Sequence, residues 1–312
     1  MYDTLNLKLS VYDAGGCSFL EETPAFLDPL SLGYHEYRGE AAVTGKLGNL
    51  SISANRYQLK VKNGSFCKWY LGDNYQSLSR GDMARAVEKL SDTLHLPLNK
   101  ASVTRLDIAQ NFILKHPIST YLNHLGQLRG AVRLQQPNSL YYSMKGGCMV
   151  FYDKNREQQA NKEQTPDLYK GRNVLRYERR FTQRLAAQFG QAVTASTLYD
   201  EDFYVSLINR WKDDYRLISK VNDISINFQS MTSKRQFYKM AALSLVERFG
   251  GQTPFLEQLQ EAQKQGTLTA KQAYDIRQAV KDACNAGEGL TAPNEAITEL
   301  DKKLMEAVRY YR

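Results

Sequence analysis

Histidine is scarce in this sequence, with four in 312 residues (His35, His95, His116 and His124) and no His-x-His pair. That argues against a histidine-built metal nest. His35 and Arg38 form an HxxR with Tyr70 downstream, a spacing similar to that of tyrosine recombinases, but no arginine precedes Arg38 to complete such a site. The four cysteines (Cys17, Cys67, Cys148 and Cys284) are far apart and make no CxxC, which implies reduced thiols and no structural zinc. No GxxxxGK[ST] or GxGxxG phosphate loop occurs, which excludes the usual ATP-driven machinery. No segment approaches the roughly 18 consecutive apolar residues of a membrane helix. The opening MYDTLNLKLSVYD alternates like a strand and lacks the basic start and apolar middle of a signal peptide. The expectation is a cytoplasmic protein with no membrane partner.

Cationic charge is abundant. The chain has 41 Lys+Arg against 33 Asp+Glu, a net +8 and a pI near 9.1, which suggests a polyanionic partner. Half of the excess lies in 153–184, where nine Lys/Arg face five Asp/Glu. Tyr152, Tyr169, Tyr177 and Phe181 adjoin or interleave with these cations, a mixture suited to phosphates and stacked bases. Arg156, Arg179 and Arg180 are the DNA-contact candidates in this window. A merely solvated charged face is the competing reading.

Period-2 patterning predicts strands over 2–12, two runs within 50–72 joined at Asn63-Gly64, 101–114, a hairpin turning at Gly146-Gly147, and 173–185 running into a helix. Helical spacing appears at 80–95 and at about 117–130. From about 232, four helical patterns follow, punctuated by Gly, Pro and Thr. The fold expected is α+β: a body over 1–230 with antiparallel sheets, then an all-helical region over 231–312. GSFCKWY ending at Tyr70 resembles GGCMVFY ending at Tyr152, and VTRLDIA resembles VLRYERR, superposing Arg105 on Arg176 and Asp107 on Glu178. These matches suggest a duplication, about 1–115 and 116–230, with the two units forming a cleft.

Alternation puts Arg105 with Asp107, and Arg176 with Glu178, on one strand face each. Two readings fit. The pairs are surface salt bridges worth ~0–1 kcal/mol, or the two carboxylates converge on Mg²⁺ or Mn²⁺, with Asn111 adding an amide oxygen. At the mouth of such a site, Tyr152 ends its strand just before Lys154. A cation there would favour the phenolate and let its oxygen attack phosphorus.

With these residues identified, the chain resembles the replication initiators of the filamentous-phage gene II family, which are related in pattern to rolling-circle plasmid initiators and some conjugative relaxases. The likeness runs through MYDTLNLKLSVYD, GSFCKWYLGDN, TRLDIA (R-[IL]-D), VFYDKNRE (Y-x-K-x-x-E) and LRYERR (R-[FY]-E), and covers roughly 1–190. It implies a rolling-circle initiator, a metal-dependent site- and strand-specific DNA nicking and joining enzyme. Tyr152 would be the nucleophile forming a 5′-phosphotyrosine, with Lys154 and Glu157 in its motif. Asp107 and Glu178 would be the metal carboxylates, accompanied by Arg105 and Arg176. Glu157 and Asn111 complete the candidate donor set. Origin DNA, a host helicase and a host polymerase are the implied partners, in a bacterial cytoplasm. A conjugative relaxase with the same chemistry and a non-catalytic single-strand binder are the alternatives. The tail holds two helices joined by KQGTLT; Lys271, Arg277 and Lys281 on the second are candidate phosphate contacts, against an ordinary packing hairpin.

Overall fold

The computed structural model describes residues 1–35, 40–224, 231–286, 291–292 and 294–312. Arg38 lies outside the described residues. The fold is α+β. Ten strands form one antiparallel sheet: β1 (Tyr2–Ser10), β2 (Leu30–His35), β3 (Glu40–Leu47), β4 (Leu50–Asn55), β5 (Gln58–Lys62), β6 (Ser102–Leu114), β7 (Val132–Gln136), β8 (Ser139–Met144), β9 (Gly147–Asp153) and β10 (Asn173–Phe181). Their order is β2-β3-β4-β5-β1-β6-β10-β9-β8-β7. Each half closes its first strand onto its last, and the halves join edge to edge where β1 pairs antiparallel with β6.

Asp107 and Glu178 are therefore not set across a cleft. β6 and β10 are adjacent strands of one sheet, so Asp107 and Glu178 share a face rather than oppose each other across a gap. In this topology β6 answers to β1, and β10 to β5, so the VTRLDIA and VLRYERR strands are neighbours and not counterparts. The Asn63-Gly64 hairpin is a second difference. The β4–β5 turn lies at 56–57, and Asn63, at φ 55°, leads instead into helix α2 (Phe66–Leu71), whose N-cap Ser65 accepts from the Lys68 amide. Thus GSFCKWY becomes helix where GGCMVFY becomes strand. The Gly146-Gly147 hairpin forms as expected, with Gly146 at φ 92°.

The remaining helices are α1 (Phe19–Glu22), α3 (Arg80–Leu94), α4 (Ile118–His124), α5 (Lys154–Ala160), α6 (Leu185–Phe189), α7 (Glu201–Arg216), α8 (Lys234–Arg248), α9 (Gln252–Lys264), α10 (Ala270–Ala286) and α11 (Glu295–Tyr311). Two short strands, β11 (Asp223–Ile224) and β12 (Thr291–Ala292), pair with each other. Helix α3 starts on a Ser79–Asp82 capping box. One face of the sheet is buried under α4, α7 and α11. There Phe151 stacks on Tyr177 (centroids 4.4 Å apart) and Tyr177 on Trp211 (4.8 Å). Helices α8, α9 and α10 pack on one another, whereas α11 returns to the body and buries Ile297, Leu300, Leu304 and Val308. No helix among the described residues is long and apolar enough to cross a membrane. On the other face α2 packs against β1 and α5 against β9 and β10, and Arg105, Asp107, Asn111, Tyr152, Arg176, Glu178 and Arg180 lie there, with Asp107, Asn111, Arg176 and Glu178 buried.

Candidate active site

Antiparallel register assembles the site. Arg176 of β10 lies opposite Tyr152 of β9 and Asn111 of β6, and Arg180 lies opposite Cys148 and Asp107. Glu178 stands between the two arginines. Alternation then delivers Arg105, Asp107, Asn111, Tyr152, Arg176, Glu178 and Arg180 to one face.

Glu178 is the hub. Its Oε1 accepts from the Tyr152 hydroxyl (2.6 Å) and Arg176 Nε (2.8 Å), and its Oε2 accepts from Arg180 Nε and Nη2 (2.9 and 2.6 Å). Burial would raise its pKa, but Arg176 and Arg180 outweigh that and bring it down to about 2. Arg176 is 1% exposed and is satisfied on every side. Its Nη2 reaches Asp3 at 2.9 Å, and Nη1 donates to the Asn74 carbonyl (2.9 Å) and Asn111 Oδ1 (3.3 Å). Asp3 also accepts from the Ser65 hydroxyl at 2.6 Å. Asp107 is held bidentately by Arg105, at 3.0 and 2.5 Å. Burial nevertheless pushes the Asp107 carboxyl up to about 6, against the pull of Arg105.

This arrangement corrects several expectations. Burial, then the Glu178 charge, raises the Tyr152 phenol well above its usual range, so the ring is held protonated rather than as a phenolate. Lys154 opens α5, is fully buried and donates to Glu157 at 2.7 Å, so its charge is spent inside the motif. Arg179 faces the opposite way from Arg180. It is 2% exposed, binds Asp214 at 2.6 Å and is out of reach of any phosphate on the face that carries Glu178. Arg156 is exposed and loosely paired with Asp153 at 3.6 Å. Lys271 and Lys281 are exposed and Arg277 half-buried on α10, in the bundle of α8 to α10.

The four expected metal donors do not form a common nest. Asp107 is taken by Arg105, Glu178 by two arginines and the phenol, Glu157 by Lys154, and Asn111 by Arg176 and the Tyr75 carbonyl, to which it donates at 2.7 Å. Among the described residues no three His, Cys, Asp or Glu come together to hold a cation. As arranged, this donor set does not fit Mg²⁺ or Mn²⁺ unless Arg105 and Arg180 swing away.

Asp3 was not foreseen as a site residue. Its signal was an acid near the start of an otherwise alternating strand, and only the β1–β6–β10 order shows that it meets Arg176.

Asp107 also makes a stability prediction. A carboxyl near 6 in the fold and near 3.9 unfolded binds its proton more tightly when folded, so stability falls as pH rises between those values, by roughly 2–3 kcal/mol at most. Asp107→Asn should therefore melt above the wild type at pH 8 and lose that advantage by pH 4. Parallel melting curves across that range would disprove the shift.

A single ten-stranded antiparallel sheet with an arginine–carboxylate–tyrosine network on one face, followed by a helical region, defines the class as α+β. Within it, the chain belongs to the family of phage replication-associated proteins defined by the N-terminal region of the gene II protein, whose family model matches residues 1–213. No curated protein matched the chain.

Proposed function

We propose that this chain is a rolling-circle replication initiator that nicks and rejoins origin DNA through Tyr152. The observation that carries this reading is the 2.6 Å contact from the Tyr152 hydroxyl to Glu178, flanked by Arg180 and Arg105, whose side chains keep about 30% of their surface exposed. Those two arginines meet an incoming phosphodiester, while the fully enclosed Arg176 fixes the carboxylate. The Tyr152 oxygen attacks phosphorus, and its proton passes to Glu178. The P–O3′ bond breaks, and the departing 3′ oxygen takes the proton back. A 5′-phosphotyrosine and a free 3′-hydroxyl result. The reverse attack by a 3′-hydroxyl reseals the strand without ATP, because the bond energy is kept in the ester. Glu178, held at about 2, is a weak base, so its main task is to orient the phenol.

A divalent cation at Asp107 and Glu178 belongs to this proposal only if the arginines give way, and no step above passes through it. Origin DNA is the proposed partner, with the host helicase and polymerase acting on the product. Conjugative transfer would use the same chemistry and is separated by the cognate origin alone. One observation favours a non-catalytic single-strand binder: both carboxylates are neutralised by arginine and the phenol is protonated. Labelled single-stranded fragments tiled across the replicon, incubated with Mn²⁺ or EDTA and denatured, separate these readings. The nicking reading expects a fragment-specific covalent adduct. An adduct that persists in EDTA removes the metal from the proposal, and binding to origin fragments with no adduct in either condition leaves the binder.

A further inference from the structure

The open face of the first half-sheet is not used by the chemistry above, and its composition is distinctive. Cross-strand pairing lines up Ser31, Thr44, Ser53, Lys60, Lys8 and Ser102 in one row running from β2 to β6. A second row holds Lys46, Ser51 and Lys62, and beyond them Asn6 faces Arg105 at the border of the candidate site. Six strands at ~4.8 Å spacing make the first row about 24 Å long. Lys8, Lys46 and Lys62 are exposed, as are Ser31, Thr44 and Ser102. A shallow groove of about 390 Å³ runs between Ser31, Thr44, Lys46, Ser51, Ser53 and Lys62. Among the described residues, two acids on this face do little to offset the lysines. Asp3 is buried against Arg176, and Glu40 lies at the far end of β3, where Asn55 donates to it at 3.3 Å.

We propose that this face seats the sugar–phosphate backbone of duplex DNA flanking the nicked strand. The proposal rests on the nicking reading for its orientation, since the second row ends at Arg105. Short hydroxyl side chains keep the surface low, so that phosphate oxygens come within reach of Ser and Thr hydroxyls while the lysines supply charge. No aromatic side chain stands in these two rows. A single strand would find no ring on which to stack its bases, whereas a duplex keeps its bases stacked internally and presents only backbone. That difference selects duplex over single-stranded DNA. The contacts carry no base information, so the face positions the molecule and leaves sequence readout to other parts of the chain.

The test is equilibrium binding in a Tyr152→Phe background, so that no covalent step intervenes. Fluorescence anisotropy would compare a random-sequence duplex with oligo(dT) of equal length over a range of KCl. The variant is Lys8→Gln/Lys46→Gln/Lys62→Gln. Losing three phosphate contacts should lower the slope of log K against log salt by about 2.7 on duplex and weaken duplex binding about tenfold or more at low salt. The matching triple Lys→Arg variant should restore both. Ser53→Glu, which plants an acid in the middle of the first row, should weaken duplex binding by a different route. An unchanged slope and affinity in the triple Gln variant would overturn the proposal. An equal loss on oligo(dT) would overturn the assignment to duplex. A slope that falls as expected, in a protein whose wild type forms no adduct, would sink the nicking reading and leave this surface standing.

Discussion

Phenylalanine at position 152 should reduce covalent capture of origin DNA by at least about a thousandfold, since it deletes the attacking atom itself. The fold should tolerate the change. The hydroxyl lost is one of four donors to the Glu178 carboxylate, and Arg176 and Arg180 continue to neutralise it. A hydrogen bond to a charged group contributes roughly 1.5–3 kcal/mol, and the remaining donors should hold the measured loss near the bottom of that range. The informative measurement is therefore a pair: adduct yield on denaturing gels and the melting curve of the same preparation. A folded variant without adduct identifies the nucleophile. A folded variant with full adduct moves the nucleophile to another tyrosine, with Tyr141, on the neighbouring strand β8, the next to replace. The pH profile sharpens this further. Burial and the Glu178 charge hold the phenol protonated well above its ordinary range, so its proton leaves only as the oxygen attacks, and capture should show no rise centred on the ordinary phenol pKa of about 10.

Much of the fold was readable because hydrophobic spacing reports burial directly. β6, the β8–β9 hairpin, β10, α3 and the tail helices α9 to α11 follow their periodicity, whereas α8 carries apolar residues on exposed and buried sides alike and is bounded by Gly250-Gly251. The failures have local causes. Asn63-Gly64 does take up a left-handed bend, yet Ser65 follows as an N-cap and turns the chain into α2, so the turn signal was real and its outcome was not a hairpin. Helix α5 begins at Lys154, directly after Asp153, whose side chain caps it by accepting from the Arg156 amide, so an N-cap signal stands beside Tyr152 in the sequence. Helix α7 was missed although Phe203, Leu207, Ile208, Trp211 and Tyr215 recur at helical spacing behind Asp200 as N-cap. In the site, alternation alone places Arg176, Glu178 and Arg180 together and turns Arg179 away, so the orientation of Arg179 is legible in the sequence. Strand order was not legible. That β1 lies between β5 and β6, and β10 between β6 and β9, is set by long-range packing, and it decides that Asp3 and Tyr152 both reach this network.

Removing Arg176 should be the most destabilising single change in the site. Its guanidinium is 1% exposed and joins Asp3, Glu178, Asn111 and the Asn74 carbonyl, which belong to four separate segments of the chain. The ion pairs need not be strong in net terms, because desolvating three charged groups costs much of what they gain. The asymmetry lies in breaking them. In Arg176→Gln, Asp3 loses its cation, Glu178 keeps only Arg180, and both carboxylates stay in a low-dielectric setting. The expected loss is roughly 3–5 kcal/mol, a melting point lower by about 5–8 °C for a chain of this size. The pH dependence gives the cause. Arg176 is the larger of the two cationic influences holding Glu178 at about 2, so without it burial drives that carboxyl upward. A raised folded pKa means that the fold gains protons more readily than the unfolded chain. The variant's deficit should therefore shrink as pH falls from 7 towards 4, while the wild type, whose Glu178 is depressed, gains no such relief from this group. Asp3→Asn in the same background should recover part of the loss, so that the double variant is less damaged than the two singles combined. A deficit under about 1 kcal/mol, or one that grows on acidification, would show that Arg176 does not hold this network together.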